Sequence, residues 1–141
     1  MAGNRTFAIV KPMAVRNNNI GNILSIINQV GFRIRAMRMV KMTKEEAGRF
    51  YEIHKGKPFY ENLTEFMSST PTVVMIIEKE NAVEDFRELI GATDPEKAED
   101  GTIRKLFGIS LTANAIHGSD CDENAEREGK FFFSPEQIFE Y

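Results

Sequence analysis

One histidine stands in a sequence setting that could support phosphate chemistry. His117 follows a short apolar run and precedes Gly118, Ser119 and Asp120, so we expect its ring to lie on an open turn. Neutral imidazole is a competent nucleophile near neutral pH, because its unperturbed pKa is about 6.5. Taken alone, a histidine in this position is more often a surface or hydrogen-bonded residue than a catalytic one.

Basic residues elsewhere in the chain could supply ligands for phosphate. Lys11 closes the first apolar run, Arg87 lies in a predicted helix and Arg104 follows a Gly-Thr-Ile sequence. Ammonium and guanidinium groups bind phosphate by charge or by a bidentate fork. Thr93, shortly after a glycine, could add a further ligand. Spacing alone nevertheless favours solvated surface charges at the three basic positions.

The common phosphate-loop and metal signatures are absent from the sequence. Neither G-x-x-x-x-G-K-[ST] nor a G-x-G-x-x-G following a strand occurs. His117 and Cys121 are four residues apart, but no second pair completes the four ligands of a structural zinc site. A nucleotide site in this chain must therefore be built by another route.

Composition predicts a single soluble domain over residues 1–141. Eighteen basic against 21 acidic residues give a net charge of −3, so no global basic field favours nucleic acid. One cysteine cannot form an intramolecular disulfide. No signal peptide is recognisable, and no apolar run approaches the roughly 18 residues of a membrane span. We therefore expect a cytoplasmic protein that needs neither membrane nor nucleic acid.

Four strands and four main helices are predicted from hydrophobic periodicity. The strands are residues 6–10, buried on both faces, 32–40, with one wet face, 72–77 and 115–117. The helices cover residues 20–30, 43–51 with a capping box, 81–90 capped by Asn81, and a last segment capped by Asp120 or Asp122 that runs to Phe131. Residues 61–67 could add a short helix, and 94–104 are expected to be a loop with short helical turns.

This alternation of strands and helices leaves two architectures open. It suits a parallel α/β sheet, and it equally suits the split βαβ arrangement, an antiparallel sheet with helices on one face. Periodicity alone does not decide between them.

Five segments resemble the signature sequences of nucleoside diphosphate kinases. They are residues 6–12 (TFAIVKP), 57–60 (KPFY), 91–95 (GATDP), 101–104 (GTIR) and 114–120 (NAIHGSD). Their order and spacings are like those of the family, and the resemblance extends over residues 6–132. The N-x-x-H-G-S-D segment is highly specific, so a chance match to all five is not credible.

The resemblance implies a fold and a reaction. The fold is α+β, a ferredoxin-like (split βαβ) four-stranded antiparallel sheet with helices packed on it. The reaction is a ping-pong transfer of the γ-phosphate from a nucleoside triphosphate to a nucleoside diphosphate, through a phosphohistidine at His117. Mg²⁺ accompanies the nucleotide phosphates. The enzyme is expected to be a homo-oligomer built from dimers, either a tetramer or a hexamer.

Site residues follow from the resemblance position by position. The expected catalytic residues are His117, Glu128 on the other ring nitrogen, Lys11 and Tyr51. The expected nucleotide-binding residues are Lys11, Phe59, Leu63, Arg87, Thr93, Arg104, Leu111 and Asn114. Phe59 would stack on the base, and an aromatic stack accepts any base because every base has a π-face. Broad base tolerance is therefore expected.

Two positions depart from the family pattern. Met13 stands where an acidic residue usually follows Lys-Pro, which predicts some loss of local stability. Cys121 replaces a common serine, so any hydrogen bond made by the hydroxyl is expected to be weaker. The segment after Phe133 is also shorter than in many eukaryotic members.

Two rival functions make predictions that this sequence does not meet. An inactive, family-like interaction module predicts loss of His117 or of several phosphate ligands, and none is lost. A single-stranded RNA-binding domain with the same sheet predicts an aromatic RNP1 octapeptide and a basic sheet face, and the acidic chain lacks the octapeptide.

Overall fold

The computed structural model describes residues 3–141 and has a four-stranded antiparallel sheet at its centre. The strands are β1 (Arg5–Val10), β2 (Arg33–Val40), β3 (Thr72–Glu78) and β4 (Ile116–Gly118). Their order across the sheet is β2-β3-β1-β4, and every pair of neighbours runs antiparallel. The parallel alternative is excluded, and the ferredoxin-like α+β fold is confirmed.

Helices cover both faces of this sheet, whereas the split βαβ expectation named one. Within residues 3–141 the α-helices are α1 (Pro12–Arg16), α2 (Ile20–Gln29), α3 (Lys44–Phe50), α4 (Tyr60–Met67), α5 (Ala82–Ile90), α6 (Ile103–Phe107) and α7 (Asp122–Phe132). Ala8 and Val10 of β1 pack into the cluster that includes α2 and α5, while Phe7 and Ile9 pack into the cluster that includes α3 and α7. The predicted burial of β1 on both faces is confirmed.

Local sequence signals account for several helix ends. Thr43 and Glu46 form the predicted capping box of α3, with Glu46 N–H donating to Thr43 Oγ1 at 3.0 Å. Gly31 and Gly91 follow α2 and α5 with φ of 102° and 87°. These values lie in the region that favours glycine, which explains why both helices stop there.

Four local predictions are wrong or incomplete. Asn81 precedes α5 in a left-handed conformation, with φ of 57°, and its side chain does not cap the helix. Cys121, not Asp120 or Asp122, is the N-cap of α7. Helices α1 and α6 were not predicted, since each has only five residues and too little periodicity to detect.

Strand β2 departs from simple alternation. A bulge between Ile34 and Ala36 leaves Arg35 without a paired residue in β3. Beyond the bulge, Met37 and Met39 are about half exposed. The alternation of the sequence therefore predicted the strand but not which of its apolar residues are buried, because one inserted residue reverses the two faces.

The final residues lie against the first half of β2. The N–H of Phe139 donates to the carbonyl of Arg35 at 2.9 Å. The Tyr141 ring covers the guanidinium groups of Arg33 and Arg35, at 4.8 and 5.2 Å from its centroid. Among residues 3–141 there is no helix whose length and apolar character would allow it to cross a membrane.

Candidate active site

Two neighbouring strands bring Lys11 and His117 to the same region of the sheet. His117 of β4 is paired with Ile9 of β1 in antiparallel register. The N–H of Lys11 then donates to the carbonyl of Ala115 at 2.8 Å, which extends the pairing by one step. Ala115 has a φ of 79°, an unusual conformation for a residue with a Cβ, immediately after Asn114. Strained backbone of this kind is common at functional sites.

His117 is oriented by one carboxylate and by aromatic neighbours. Its Nε2 lies 2.7 Å from Glu128 Oε1 on α7. The rings of Phe50 and Tyr51 meet the imidazole edge to face, with centroids 5.6 and 6.0 Å away. Nδ1 makes no hydrogen bond to residues 3–141. The carboxylate favours the proton on Nε2, so the lone pair is on Nδ1.

Ser119 is a further member of this group that the sequence analysis missed. Its side chain is buried, and its hydroxyl donates to Glu128 Oε1 at 2.7 Å. One carboxylate oxygen therefore faces both His117 and Ser119. The signal was present in the sequence, since Ser119 belongs to the 114–120 segment, but only the fold shows that α7 brings Glu128 to it.

Lys11 is buried beside a neutral amide. Its Nζ donates to Asn114 Oδ1 at 2.8 Å, and the Asn114 amide group donates to the carbonyl of Thr93 at 2.9 Å. Burial lowers the pKa of Lys11 to about 7, with a further contribution from the positive charge of Arg104. A buried ammonium is disfavoured because it loses hydration that a neutral amide replaces only in part.

Arg104 is a buried cation of the site. Its guanidinium donates to the carbonyls of Gly91 at 3.0 Å and Ile116 at 2.9 Å. Burial, together with the nearby charge of Arg87, lowers the pKa of Arg104 to about 10. The side chain therefore remains charged near neutral pH, and its fixed position suits recognition of an anion.

A cavity of about 440 Å³ joins nearly all of the predicted site residues. Those on its wall are Lys11, Tyr51, Phe59, Leu63, Thr93, Arg104, Leu111, Asn114, His117 and Glu128. Arg87 instead lines an adjoining cavity of about 180 Å³, which shares Thr93 and Arg104 with the first. A larger cavity, about 700 Å³, lies between α7 and the final segment and contains none of these residues.

The two ends of the main cavity differ in character. Lys11 and Arg104 form a basic end near His117, whereas Phe59 and Leu111 are about half exposed at an apolar end. Phe59 packs against His54, with ring centroids 5.3 Å apart. Such a cavity can hold a molecule that is anionic at one end and flat and apolar at the other.

Buried polar atoms without a partner are concentrated in this cavity. Within residues 3–141 they include Tyr51 Oη, His54 Nδ1 and Arg104 Nε, all from residues of the cavity wall. An unpaired buried polar atom costs about 1–3 kcal/mol, so these groups favour a ligand that can pair with them. Burial also raises the pKa of Tyr51, which keeps its hydroxyl protonated as a donor.

Several polar residues of the cavity wall were not predicted from the sequence. His54 lies in a short 3₁₀ turn (Glu52–His54) after Tyr51, and burial, followed by the charge of Lys57, lowers its pKa. Asp120 accepts a hydrogen bond from the Asn124 amide at 2.6 Å, and this bond lowers the pKa of Asp120. The signal that could have identified His54 as a site residue was its place in the chain, three residues after the predicted site residue Tyr51.

Clusters of side chains that commonly ligate metal ions were sought within residues 3–141. No group of three or more histidine, cysteine, aspartate or glutamate residues in this part of the chain is arranged to ligate one.

The family model for nucleoside diphosphate kinase matches residues 4–138 of the chain. A nucleoside diphosphate kinase of Chlorobaculum tepidum is 57% identical over 134 residues, which are 95% of this chain and 96% of that protein. Nucleoside diphosphate kinase 1 of Protochlamydia amoebophila is 52% identical and covers 98% of both chains.

Solved structures give the same result for the fold. The nucleoside diphosphate kinase of Aquifex aeolicus superimposes with a TM-score of 0.94 at 44% identity, covering 96% of this chain and 99% of that one. A halophilic nucleoside diphosphate kinase from Halobacterium salinarum, in complex with CDP, has a TM-score of 0.94 at 34% identity, covering 99% and 93%.

Proposed function

The chain belongs to the nucleoside diphosphate kinase family, and we propose that it transfers the γ-phosphate of a nucleoside triphosphate to a nucleoside diphosphate through a phosphohistidine at His117. The observation that carries this proposal is the pairing of His117 Nε2 with Glu128 inside a cavity lined by the buried basic side chains of Lys11 and Arg104. That geometry leaves a nucleophilic nitrogen beside groups suited to phosphate.

In the first half-reaction His117 Nδ1 attacks the γ-phosphorus. An N–P bond forms, the bond from phosphorus to the β,γ-bridging oxygen breaks, and the nucleoside diphosphate leaves with the electron pair. Glu128 stabilises the positive charge that develops on the ring, and Ser119 holds Glu128 in place. In the second half-reaction a terminal phosphate oxygen of another diphosphate attacks the phosphorus, and the N–P bond breaks.

Charge and position account for the roles of the surrounding residues. Phosphoryl transfer through a loose transition state needs mainly alignment and charge neutralisation. Lys11, Arg104 and Arg87 supply positive charge, and Thr93 lies between the two cavities that they line. The buried Tyr51 hydroxyl, which has no partner among residues 3–141, is proposed to pair with the substrate, while Asn114 holds the Lys11 amine.

The apolar end of the cavity is proposed to hold the base. Phe59 stacks on it, and Leu63 and Leu111 line the same slot. These side chains offer no hydrogen-bond donors to base edges, which favours tolerance of different bases. The CDP bound to the Halobacterium salinarum relative is consistent with acceptance of a pyrimidine nucleotide.

Magnesium is proposed to enter as part of the substrate. Since residues 3–141 provide no ligand cluster of their own, the Mg²⁺ ion would be held mainly by nucleotide phosphates, where it supplies additional charge neutralisation. We further propose a cytoplasmic homo-oligomer built from dimers, either a tetramer or a hexamer. The family resemblance supports this assembly.

A labelling experiment tests the mechanism directly. Purified protein is mixed with γ-labelled ATP, and label should appear on the protein and then pass to added GDP. The bond should be labile to acid and stable to base, as expected for phosphohistidine. His117→Ala should carry no label.

The second histidine of the chain provides a matched control. The sequence contains only His54 and His117, so retention of label by His54→Ala locates it at His117. Label that persists in His117→Ala, or that resides on a serine, would show that the proposed mechanism is wrong.

A further inference from the structure

Lys11 is a buried amine without an anionic partner among residues 3–141. Its residue exposure is 6%, and Nζ donates to one acceptor, Asn114 Oδ1 at 2.8 Å. The Asn114 amide group is fixed by its own hydrogen bond to the carbonyl of Thr93, so its oxygen is the atom that faces Lys11. A neutral amide oxygen can accept from an amine as well as from an ammonium, and it does not require the charged form.

The charges around Lys11 do not offset the cost of burying an ammonium. Arg104 of α6 is a buried cation that acts on Lys11 directly. The buried carboxylate of Glu128 is already engaged by His117 and Ser119. The titratable and charged residues that share the cavity with Lys11 are Tyr51, His54, Arg104, His117, Asp120, Arg127 and Glu128, while Arg87 lies beyond Arg104.

We propose that, above neutral pH, Lys11 rests in the nucleotide-free site as a largely neutral amine and takes up a proton when a polyphosphate binds, so that nucleotide binding is coupled to protonation of this residue. The inference rests on the proposed function, because it takes the anionic ligand to be a nucleotide phosphate. One N–H bond forms at Nζ, and the proton comes from solvent or buffer.

The physical cause is a change in the electrostatic surroundings of one atom. In the empty site, burial and the charge of Arg104 lower the pKa of Lys11 to about 7. Phosphate oxygens placed between Lys11 and Arg104 favour the ammonium, because an adjacent opposite charge raises the pKa of an amine. Linkage then requires that the affinity for nucleotide decreases as pH rises above the pKa of the free site.

The first test uses the protein alone. Nζ resonances of ¹⁵N-labelled protein are followed by NMR between about pH 5.5 and 9.5, and the Lys11 signal is assigned by its loss in Lys11→Arg or Lys11→Gln. A midpoint near 7 is expected for Lys11. A Lys11 midpoint above about 9.5 overturns the proposal.

The second test measures the number of protons that the protein takes up when a nucleotide binds. Mg·ADP is titrated calorimetrically into the protein at about pH 8, where the terminal phosphate is already ionised, in buffers of different ionisation enthalpy. Uptake close to one proton is expected for the natural protein. The Kd for Mg·ADP should also rise about eightfold between pH 7.5 and 8.5.

Lys11→Arg is the matched control, since arginine keeps the charge and cannot take part in the titration. It should bind Mg·ADP with no uptake and a nearly constant Kd over the same interval. Uptake that persists in Lys11→Arg would assign the proton to another group and overturn the proposal, as would the absence of uptake in the natural protein.

The two proposals can fail separately. Absence of label at His117 contradicts the phosphohistidine mechanism but leaves the titration of Lys11 in the free protein unaffected. A Lys11 midpoint above about 9.5 together with a labelled His117 contradicts only the proton-coupling inference.

Discussion

Glu128 Oε1 lies 2.7 Å from His117 Nε2 and thereby connects helix α7 to strand β4 at the centre of the cavity. The same oxygen accepts from Ser119, so the carboxylate is held from two directions. This arrangement fixes both the orientation of the imidazole and the nitrogen that carries its proton.

Glu128→Gln should therefore impair catalysis more than folding. The amide keeps the shape of the side chain but loses the charge that stabilises a phosphorylated imidazolium, so we expect kcat/KM to fall by about 10²–10⁴. A coupled assay with ATP and a diphosphate acceptor measures it. Glu126→Gln, on the exposed side of the same helix, is the control and should change kcat/KM little. Equal losses in the two variants would contradict the assigned role.

Base selectivity should be modest because the apolar end of the cavity is formed by Phe59, Leu63 and Leu111. We expect kcat/KM for GDP, ADP, CDP and UDP to differ by no more than about 1–3 kcal/mol, the range of an apolar pocket. Phe59→Ala should raise KM for all four acceptors alike. A preference of several thousandfold for one base would reveal a polar group that reads the base edge.

Cys121→Ser should stabilise the protein. Cys121 is the N-cap of α7, where its sulfur accepts from the N–H of Asn124 at 3.4 Å. Serine is a preferred N-cap residue and thiol sulfur is a weak acceptor, so a gain of about 0.5–2 kcal/mol in the free energy of unfolding is expected. Urea denaturation of Cys121→Ser and Cys121→Ala provides the comparison. If serine is no better than alanine, the sulfur contact does not act as a cap.

The sequence predicted the strands well because hydrophobic runs and glycine stops are local signals. Residue type alone singled out His117, Lys11, Arg87, Thr93 and Arg104 as candidates, but their grouping into one site came from the resemblance, since nothing in their spacing places them together. Their proximity depends on the pairing of β1 with β4 and on α6, a helix too short to detect. The bulge at Arg35 was equally hidden, because it is set by pairing with β3.

Met13→Asp addresses the departure near the start of α1. Lys11 is the N-cap and Pro12 the first helical residue, so Met13 lies in a first turn that has no acidic side chain. An aspartate there complements the helix dipole by about 0.3–1 kcal/mol, so the Tm should rise slightly or stay unchanged. We expect kcat/KM to change by less than about tenfold, or 1.4 kcal/mol. Activity that appears only in Met13→Asp would favour the inactive module over the kinase. Met13→Asn controls for shape without charge.

Lys11→Met should remove a specific part of the pH dependence of stability. The pKa of Lys11 is about 7 in the folded protein against an ordinary value of 10.5, so the unfolded chain binds more protons between these two pH values. The free energy of unfolding of the natural protein should therefore rise with pH across this interval, relative to a variant that lacks the amine. Below about pH 7 Lys11 is protonated in both the folded and the unfolded protein, and the full cost of burying the ammonium is present.

We expect the stability advantage of Lys11→Met to shrink by about 2–3 kcal/mol from pH 6.5 to pH 9, as measured by urea denaturation. Titration of all other groups cancels in this difference, so an advantage that is independent of pH would show that Lys11 is charged throughout.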